Sequence, residues 1–204
     1  MIELYTWKTP NGRKVSIMLE ECGLRYNVHP VDLGAREQHT PEFTALSPNN
    51  KIPVIVDSDG PDGRPITMME SGAILIYLAG KTGKFLPRST RGKYKALEWL
   101  MFQMGHVGPM FGQLHVYIKL DEPVPYSLER YSKERYRLYG VLDRRLGEAD
   151  YLAGEYSIAD IATYPWVARH TVHKTDLTEY PNVKRWFDIL SARPAVARGM
   201  AVPA

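Results

Sequence analysis

Ile52 and Pro53 are where this chain could offer backbone chemistry to a partner. In Ser47-Pro48-Asn49-Asn50-Lys51-Ile52-Pro53-Val54-Ile55-Val56 a proline stands at the mouth of an apolar, β-branched run. Ile52, Val54, Ile55 and Val56 favour a strand. Pro53 has no N–H for a ladder, so it belongs at a strand's first residue, a bulge or an edge. Two readings are open. A trans proline merely starts a buried strand. A cis Ile52–Pro53 bond, the minority isomer, would turn the N–H and C=O of Ile52 outward, where an extended peptide-like ligand could pair with them. A second feature is Glu70-Ser71-Gly72, which opens an apolar run through Leu78. First-turn N–H groups and the helix dipole favour a carboxylate there. The plain structural alternative is an ordinary helix start with Ser71 as N-cap.

The elements that must position these residues can be read in order. Residues 1–7 form a short strand. Thr9-Pro10-Asn11-Gly12 starts a helix, with Thr9 or Asn11 as cap and Pro10 at the first helical position. Val15, Met18, Leu19 and Cys22 follow at i, i+3, i+4 and i+7, and Gly23 closes the helix. Tyr26–Leu33 reads as a second strand, and Thr40-Pro41-Glu42-Phe43 as a short helix. The Pro53 strand and Arg64–Met69 form a hairpin across an Asp/Gly-rich turn. These elements make a small α/β layer with a mixed sheet. Residues 83–90 read as a linker. Beyond them the apolar spacing is helical: 93–117, with a kink at Gly108-Pro109; 124–146; 157–167, opened by an acidic capping box at Ser157-Ile158-Ala159-Asp160; 181–190; and a last turn from Pro194. The expected domains are 1–82 and 91–204.

The totals narrow the class. The chain has 204 residues, 44% apolar and 24% charged, as in ordinary globular proteins. A net charge of +3 with no basic block argues against a nucleic-acid binder. The apolar run 73–79 is far short of a membrane span, and the first residues lack a secretory signal. The single cysteine, Cys22, excludes an internal disulfide, a CxxC pair and a multi-cysteine metal site. A reducing cytoplasm fits that usage.

An α/β unit of this order followed by an all-helical half resembles the glutathione S-transferase family. Asn50-Lys51-Ile52-Pro53-Val54, Glu70 through Leu78, and Ser157-Ile158-Ala159-Asp160 carry the resemblance. Within the family the chain is similar to the bacterial Nu class, glutathione-dependent disulfide-bond oxidoreductases. Thr9-Pro10-Asn11-Gly12, Ser47 through Pro53, Gly108-Pro109-Met110, and Pro125-Tyr126 leading to Glu129-Arg130-Tyr131 carry that closer match. The resemblance implies a thioredoxin-like first domain with a mixed four-stranded sheet, a helical-bundle second domain, a homodimer, and glutathione as bound co-substrate. It also implies site residues. Ile52 and a cis Pro53 would hold the cysteinyl backbone of glutathione, with Ser71 on a carboxylate and Glu70 on the ammonium. Gln38 and Lys51 would take the glycyl carboxylate, and Arg130 would reach the ligand across the dimer. The plain alternatives are a solvated Lys51 and an Arg130 paired on an exposed helix face.

The chemistry needs a thiolate. Lowering a thiol pKa by two units from about 8.5 takes roughly 2.7 kcal/mol. A hydrogen bond to a charged group supplies about 1.5–3 kcal/mol, and a helix N-terminus about 0.3–1. The resemblance selects Thr9 and Asn11 for this role, and plain capping is compatible with it. Ser16 lies a turn too deep, Tyr5 reads as a core aromatic, and Cys22 as an inert buried thiol. With no redox cysteine expected, both sulfurs of a disulfide exchange must come from ligands. One rival reading is conjugation of electrophiles or hydroperoxide reduction. Another is a regulatory protein that binds glutathione without turnover. No metal, nucleic-acid or membrane partner is expected; His170 and His173, three apart on an expected helix, lack further ligands.

Overall fold

A computed structural model describes residues 1–203, which divide into two compact units. The first contains Met1–Lys84 and the segment from Arg193 onward; the second is Phe85–Ala192.

In the first unit β1 (Ile2–Thr6) buries Ile2, Leu4 and Thr6 in strict alternation. It leads into α1 (Pro10–Cys22), where the Thr9 side chain accepts from Gly12 N and Pro10 occupies the first turn. Gly23 ends α1 with φ 71°, a left-handed cap that costs glycine little. β2 (Tyr26–Pro30), α2 (Pro41–Leu46), β3 (Val54–Asp57), β4 (Ile66–Met69) and α3 (Ser71–Thr82) follow. The sheet order is β2-β1-β3-β4, with β1 parallel to β2 and the other pairs antiparallel. This is the expected mixed four-stranded sheet.

In the second unit α4 (Thr90–Phe102) and α5 (Gly108–Ile118) are joined by one π-helical turn, Gln103–Val107. The expected break at Gly108-Pro109 is thus a widened turn ahead of the proline. Pro109 cannot donate and its ring crowds the carbonyl four residues back. α6 (Pro125–Glu148), α7 (Ile158–Val167) and α8 (Pro181–Ser191) complete the unit. Asp160 holds its core. Its buried carboxylate accepts from Leu152 N and Ser157 N at 3.0 Å, Ser157 Oγ at 3.1 Å and Trp186 Nε1 at 2.9 Å. Burial pushes its carboxyl up to about 6, while the four donors pull the other way.

Two expected boundaries shift. Phe85, placed in the linker, belongs to the second unit: its ring meets Tyr156 and its carbonyl accepts from Ile158 N at 2.9 Å. The C-terminal helix α9 (Pro194–Met200), placed in the helical domain, packs on α1 instead. Gly199 allows this, since a Cβ there would stand 2.5 Å from Ile17 Cα. Ser16 Oγ donates to Gly199 O at 2.7 Å, Arg193 forks onto Glu21 at 2.7 and 2.8 Å, and Arg198 meets Glu20 at 2.6 Å.

Candidate active site

Three loops carry most of the expected residues of the first unit, and the strand register puts all three at one end of the sheet. Tyr5 near the end of β1 pairs with Val54 at the start of β3, and Val54 pairs with Met69 at the end of β4. The chain therefore leaves β1 toward Thr9, enters β3 from Pro53 and leaves β4 toward Glu70 along one edge. Separations of 17 residues (Pro53 to Glu70) to 61 residues (Thr9 to Glu70) vanish through antiparallel pairing.

At the first loop, Thr9 is half-buried and its Oγ1 accepts from Gly12 N at 3.1 Å. That bond uses a lone pair, so the hydroxyl proton remains available to an acceptor. Asn11 is half-buried one residue into the helix. Gly12 brings the helix start against the strand end: a Cβ would lie 2.4 Å from Thr6 Oγ1 and 2.5 Å from Trp7 O.

At the second loop, the Ile52–Pro53 bond is cis. Pro53 is buried and Ile52 half-buried, just ahead of the first β3–β4 pair. Asn50, at φ 53°, donates from Nδ2 to Gln38 O at 2.9 Å and to Thr44 Oγ1 at 2.6 Å. It ties the loop carrying Gln38 to the one carrying Ile52. Gln38 sits half-buried in a short 3-10 turn, Glu37–His39. Buried Ser47 donates to Lys51 O at 3.0 Å, while the Lys51 side chain is exposed.

At the third loop the reading of Ser71 as N-cap is corrected. Glu70 occupies the cap position without a capping hydrogen bond, at φ 68°, and Ser71 is the first helical residue. A non-glycine there carries strain of about 1–3 kcal/mol, the kind that collects at functional sites. Glu70 is exposed and Ser71 buried. Behind Ser71 lies a residue that sequence reasoning missed. Lys14 of α1 is 1% exposed, and its Nζ donates to Ser71 Oγ at 3.3 Å. Burial pulls its ammonium down to about 7, and Glu70 opposes the shift. The sequence signal was faint: a lysine on the turn of helical spacing that carries Val15 and Met18.

Arg130 stands exposed on α6 in the second unit, lining a groove with Tyr126, Glu129, Lys133 and Glu134. Glu129 is held by Lys133 at 2.5 Å and Glu134 by Arg137 at 2.8 Å. The Arg137 hydrogen bond, with the Arg137 and Arg130 charges nearby, holds the Glu134 carboxyl below its usual range. Cys22 is buried against Thr82 Oγ1 at 3.5 Å, and burial pushes its thiol up, away from the thiolate. Tyr5, expected in the core, is half-buried and stacked on His29 with centroids 4.6 Å apart. Ser16 is buried under α9. His170 and His173 lie in turns after α7 and not on a helix. Among the described residues no group of three or more His, Cys, Asp or Glu is placed to hold a metal ion, and no helix is long and apolar enough to cross a membrane.

Comparison with known proteins finds likenesses to both units. The model for the glutathione S-transferase N-terminal domain matches residues 9–81, and that for the C-terminal domain residues 110–194. The chain is 49% identical to the disulfide-bond oxidoreductase YfcG of Escherichia coli, over 98% of this chain and 94% of that protein. A glutathione transferase from Burkholderia graminis, crystallised with two glutathione molecules per subunit, superposes with a TM-score of 0.94. It is 48% identical, over 99% of this chain and 88% of that one. A glutathione transferase from Pseudomonas putida, crystallised with one glutathione disulfide per subunit, also gives 0.94. It is 45% identical, over 100% of this chain and 92% of that one. With these likenesses spanning both units, the chain belongs to the glutathione S-transferase family.

Proposed function

We propose that this protein is a glutathione-dependent disulfide-bond reductase that uses glutathione sulfurs and no protein cysteine. The observation that carries the reading is the meeting of Thr9, Ile52-Pro53 and Glu70-Ser71 at one end of the sheet, with Cys22 buried at the opposite end of α1 from Thr9. Glutathione lies extended, its cysteinyl backbone on Ile52, its γ-glutamyl carboxylate on Ser71 and the first turn of α3, its ammonium on Glu70. Gln38 and Lys51 take the glycyl end. The Thr9 hydroxyl, with Asn11 beside it, donates to the sulfur and stabilises the thiolate.

The thiolate attacks one sulfur of a small disulfide; the S–S bond breaks and the departing thiolate takes a proton. A second glutathione thiolate attacks the mixed disulfide at the first glutathione's sulfur. Oxidised glutathione forms and the second substrate thiol leaves, so two glutathiones are oxidised for each disulfide reduced. The relatives crystallised with two glutathiones or one glutathione disulfide per subunit support a site of that capacity. The protein acts as a homodimer in which Arg130 reaches the ligand of the other copy. A reaction that consumes reduced glutathione belongs in the cytoplasm.

Parallel assays with hydroxyethyl disulfide, chlorodinitrobenzene and cumene hydroperoxide test the assignment. The disulfide is expected to turn over fastest, and calorimetry to find one oxidised or two reduced glutathiones per chain. Conjugation or peroxidase activity well above disulfide reduction would overturn it.

A further inference from the structure

The helical unit holds buried polar atoms that the disulfide chemistry leaves unused. His173, in the turns after α7, is wholly buried, and neither of its ring nitrogens has a hydrogen-bond partner. Nor have His115 Nδ1 on α5, Arg135 Nε on α6 and Arg169 Nε just past α7, all of them buried atoms. Interiors keep few such groups, because a buried donor without an acceptor is costly.

Local folding gathers them. His173 N donates to Arg169 O at 3.0 Å, which closes one turn of chain between the two residues. Arg135 Nη1 donates to His173 O and, at 3.2 Å, to Lys174 O, which fastens that turn to α6. The His173 ring meets Phe111 and His115 of α5 edge-on, with centroids 5.5 and 5.9 Å apart. We propose that His115, Arg135, Arg169 and His173 form a binding site for a small monatomic anion, chloride in class, inside the helical unit between α5, α6 and the turn after α7.

Charge selects an anion over a water or a metal cation. Two guanidiniums carry fixed charge and can only donate. Among the described residues neither Arg135 nor Arg169 makes an ion pair with a carboxylate. The charges that act on His115 are Arg169 and Lys119, and those that act on His173 are His115, Arg169, Arg135 and His170. The carboxylates of the surrounding elements are turned elsewhere: Glu134 of α6 to Arg137, Asp143 to Asn182 N and Val183 N, Asp176 to Thr178 N. Glu179 is exposed beside Tyr180. His170 Nδ1 lies 3.1 Å from Thr175 O, and Tyr139 and Thr175 are neighbours. A water would fill hydrogen bonds but leave the charge, and a buried charge needs a counter-charge. A cation would meet two guanidiniums at close range. Rings 5.9 Å apart can share one acceptor atom, which favours a halide over a tetrahedral oxyanion.

The test uses the full chain, with sodium gluconate replaced by sodium chloride or bromide at constant ionic strength. Melting temperature should rise saturably with either halide, by about 3–6 °C at ten times the half-saturating concentration. Arg169→Gln, which removes one fixed charge, should raise that concentration about tenfold. The anion favours charged imidazoles and so opposes the burial that pulls His173 down to about 4. Melting temperature should therefore fall less between pH 7 and pH 5 in chloride than in gluconate. Crystals grown in bromide should give an anomalous peak among the four side chains, and this decides the matter if Arg169→Gln does not fold. Equal melting curves in gluconate and halide, a halide response unchanged in Arg169→Gln, the same acid loss in both salts, or no bromide peak at these residues overturns the site. A peak with no effect on melting means an adventitious ion only and overturns it as well.

Discussion

In the proposed mechanism Thr9 does two jobs with one oxygen. Its lone pair caps α1 through Gly12 N, and its proton is left for a sulfur. Both depend on the same hydroxyl. Thr9→Val keeps the shape and loses both, so kcat/KM for disulfide reduction should fall roughly 10- to 150-fold, the equivalent of about 1.5–3 kcal/mol. The cap loss should cost about 1 kcal/mol of stability. Thr9→Ser should retain activity and stability. An equal rate in Thr9→Val would remove the residue from the chemistry. Cys22 makes the complementary case. Its thiol is buried and pushed toward the neutral form, so Cys22→Ala should leave turnover unchanged while lowering stability slightly. Loss of activity in that variant, with the fold intact by circular dichroism, would mean a protein sulfur takes part after all.

At the scale of elements, two contacts are tight enough to be tested by one methyl group or one carboxylate. Gly12→Ala adds a methyl where Thr6 Oγ1 and Trp7 O already stand within 2.5 Å of the Cβ position. Helix α1 must then lift from the end of β1, carrying Thr9 and Asn11 with it. The expected loss is in thiolate formation, read as a raised pKa in the pH–rate profile, along with about 1–3 kcal/mol from overpacking. Asp160→Ala leaves the Leu152, Ser157 and Trp186 donors buried without their acceptor. Chemical denaturation should report a loss of about 3–5 kcal/mol. The capping box was legible because Ser157 and Asp160 sit at the fixed spacing such a box requires. Its energetic weight was not, because Leu152 and Trp186 come from elsewhere in the chain.

At the scale of the molecule, α9 and His173 give two predictions. A chain ending at Ala192 should lose the Arg193–Glu21 and Arg198–Glu20 pairs and uncover Ile17. Hydrogen exchange should then show α1 amides losing protection, while α7 keeps its own. In the helical unit His173 is buried, and burial, with His115, Arg169 and Arg135 nearby, pulls its imidazole down to about 4. The unfolded chain therefore binds a proton near 6.5 that the folded one resists until about 4. Stability from this group is full above pH 6.5 and is lost as pH falls toward 4, by at most about 1.4 kcal/mol per unit. Melting temperatures between pH 4 and 7 should follow that slope, and His173→Phe should flatten it. An unchanged slope would assign the acid sensitivity to other groups.

What the sequence determined by itself was local: caps at Thr9 and Ser157, helical spacing along α1 and α6, the strand behind Pro53, the absence of a second cysteine. Each of these signals is written in a few neighbouring residues, and so is the set of quoted motifs that carried the family resemblance. Only the tertiary structure decided that Thr9, Pro53 and Glu70 share one end of a sheet, that α9 returns to α1, and that Lys14 ends beneath Ser71. Those facts depend on pairings across some 50 to 180 positions, such as Lys14 with Ser71 and Ser16 with Gly199. Periodicity sees which face a residue occupies, and cannot see which distant segment will come to cover it.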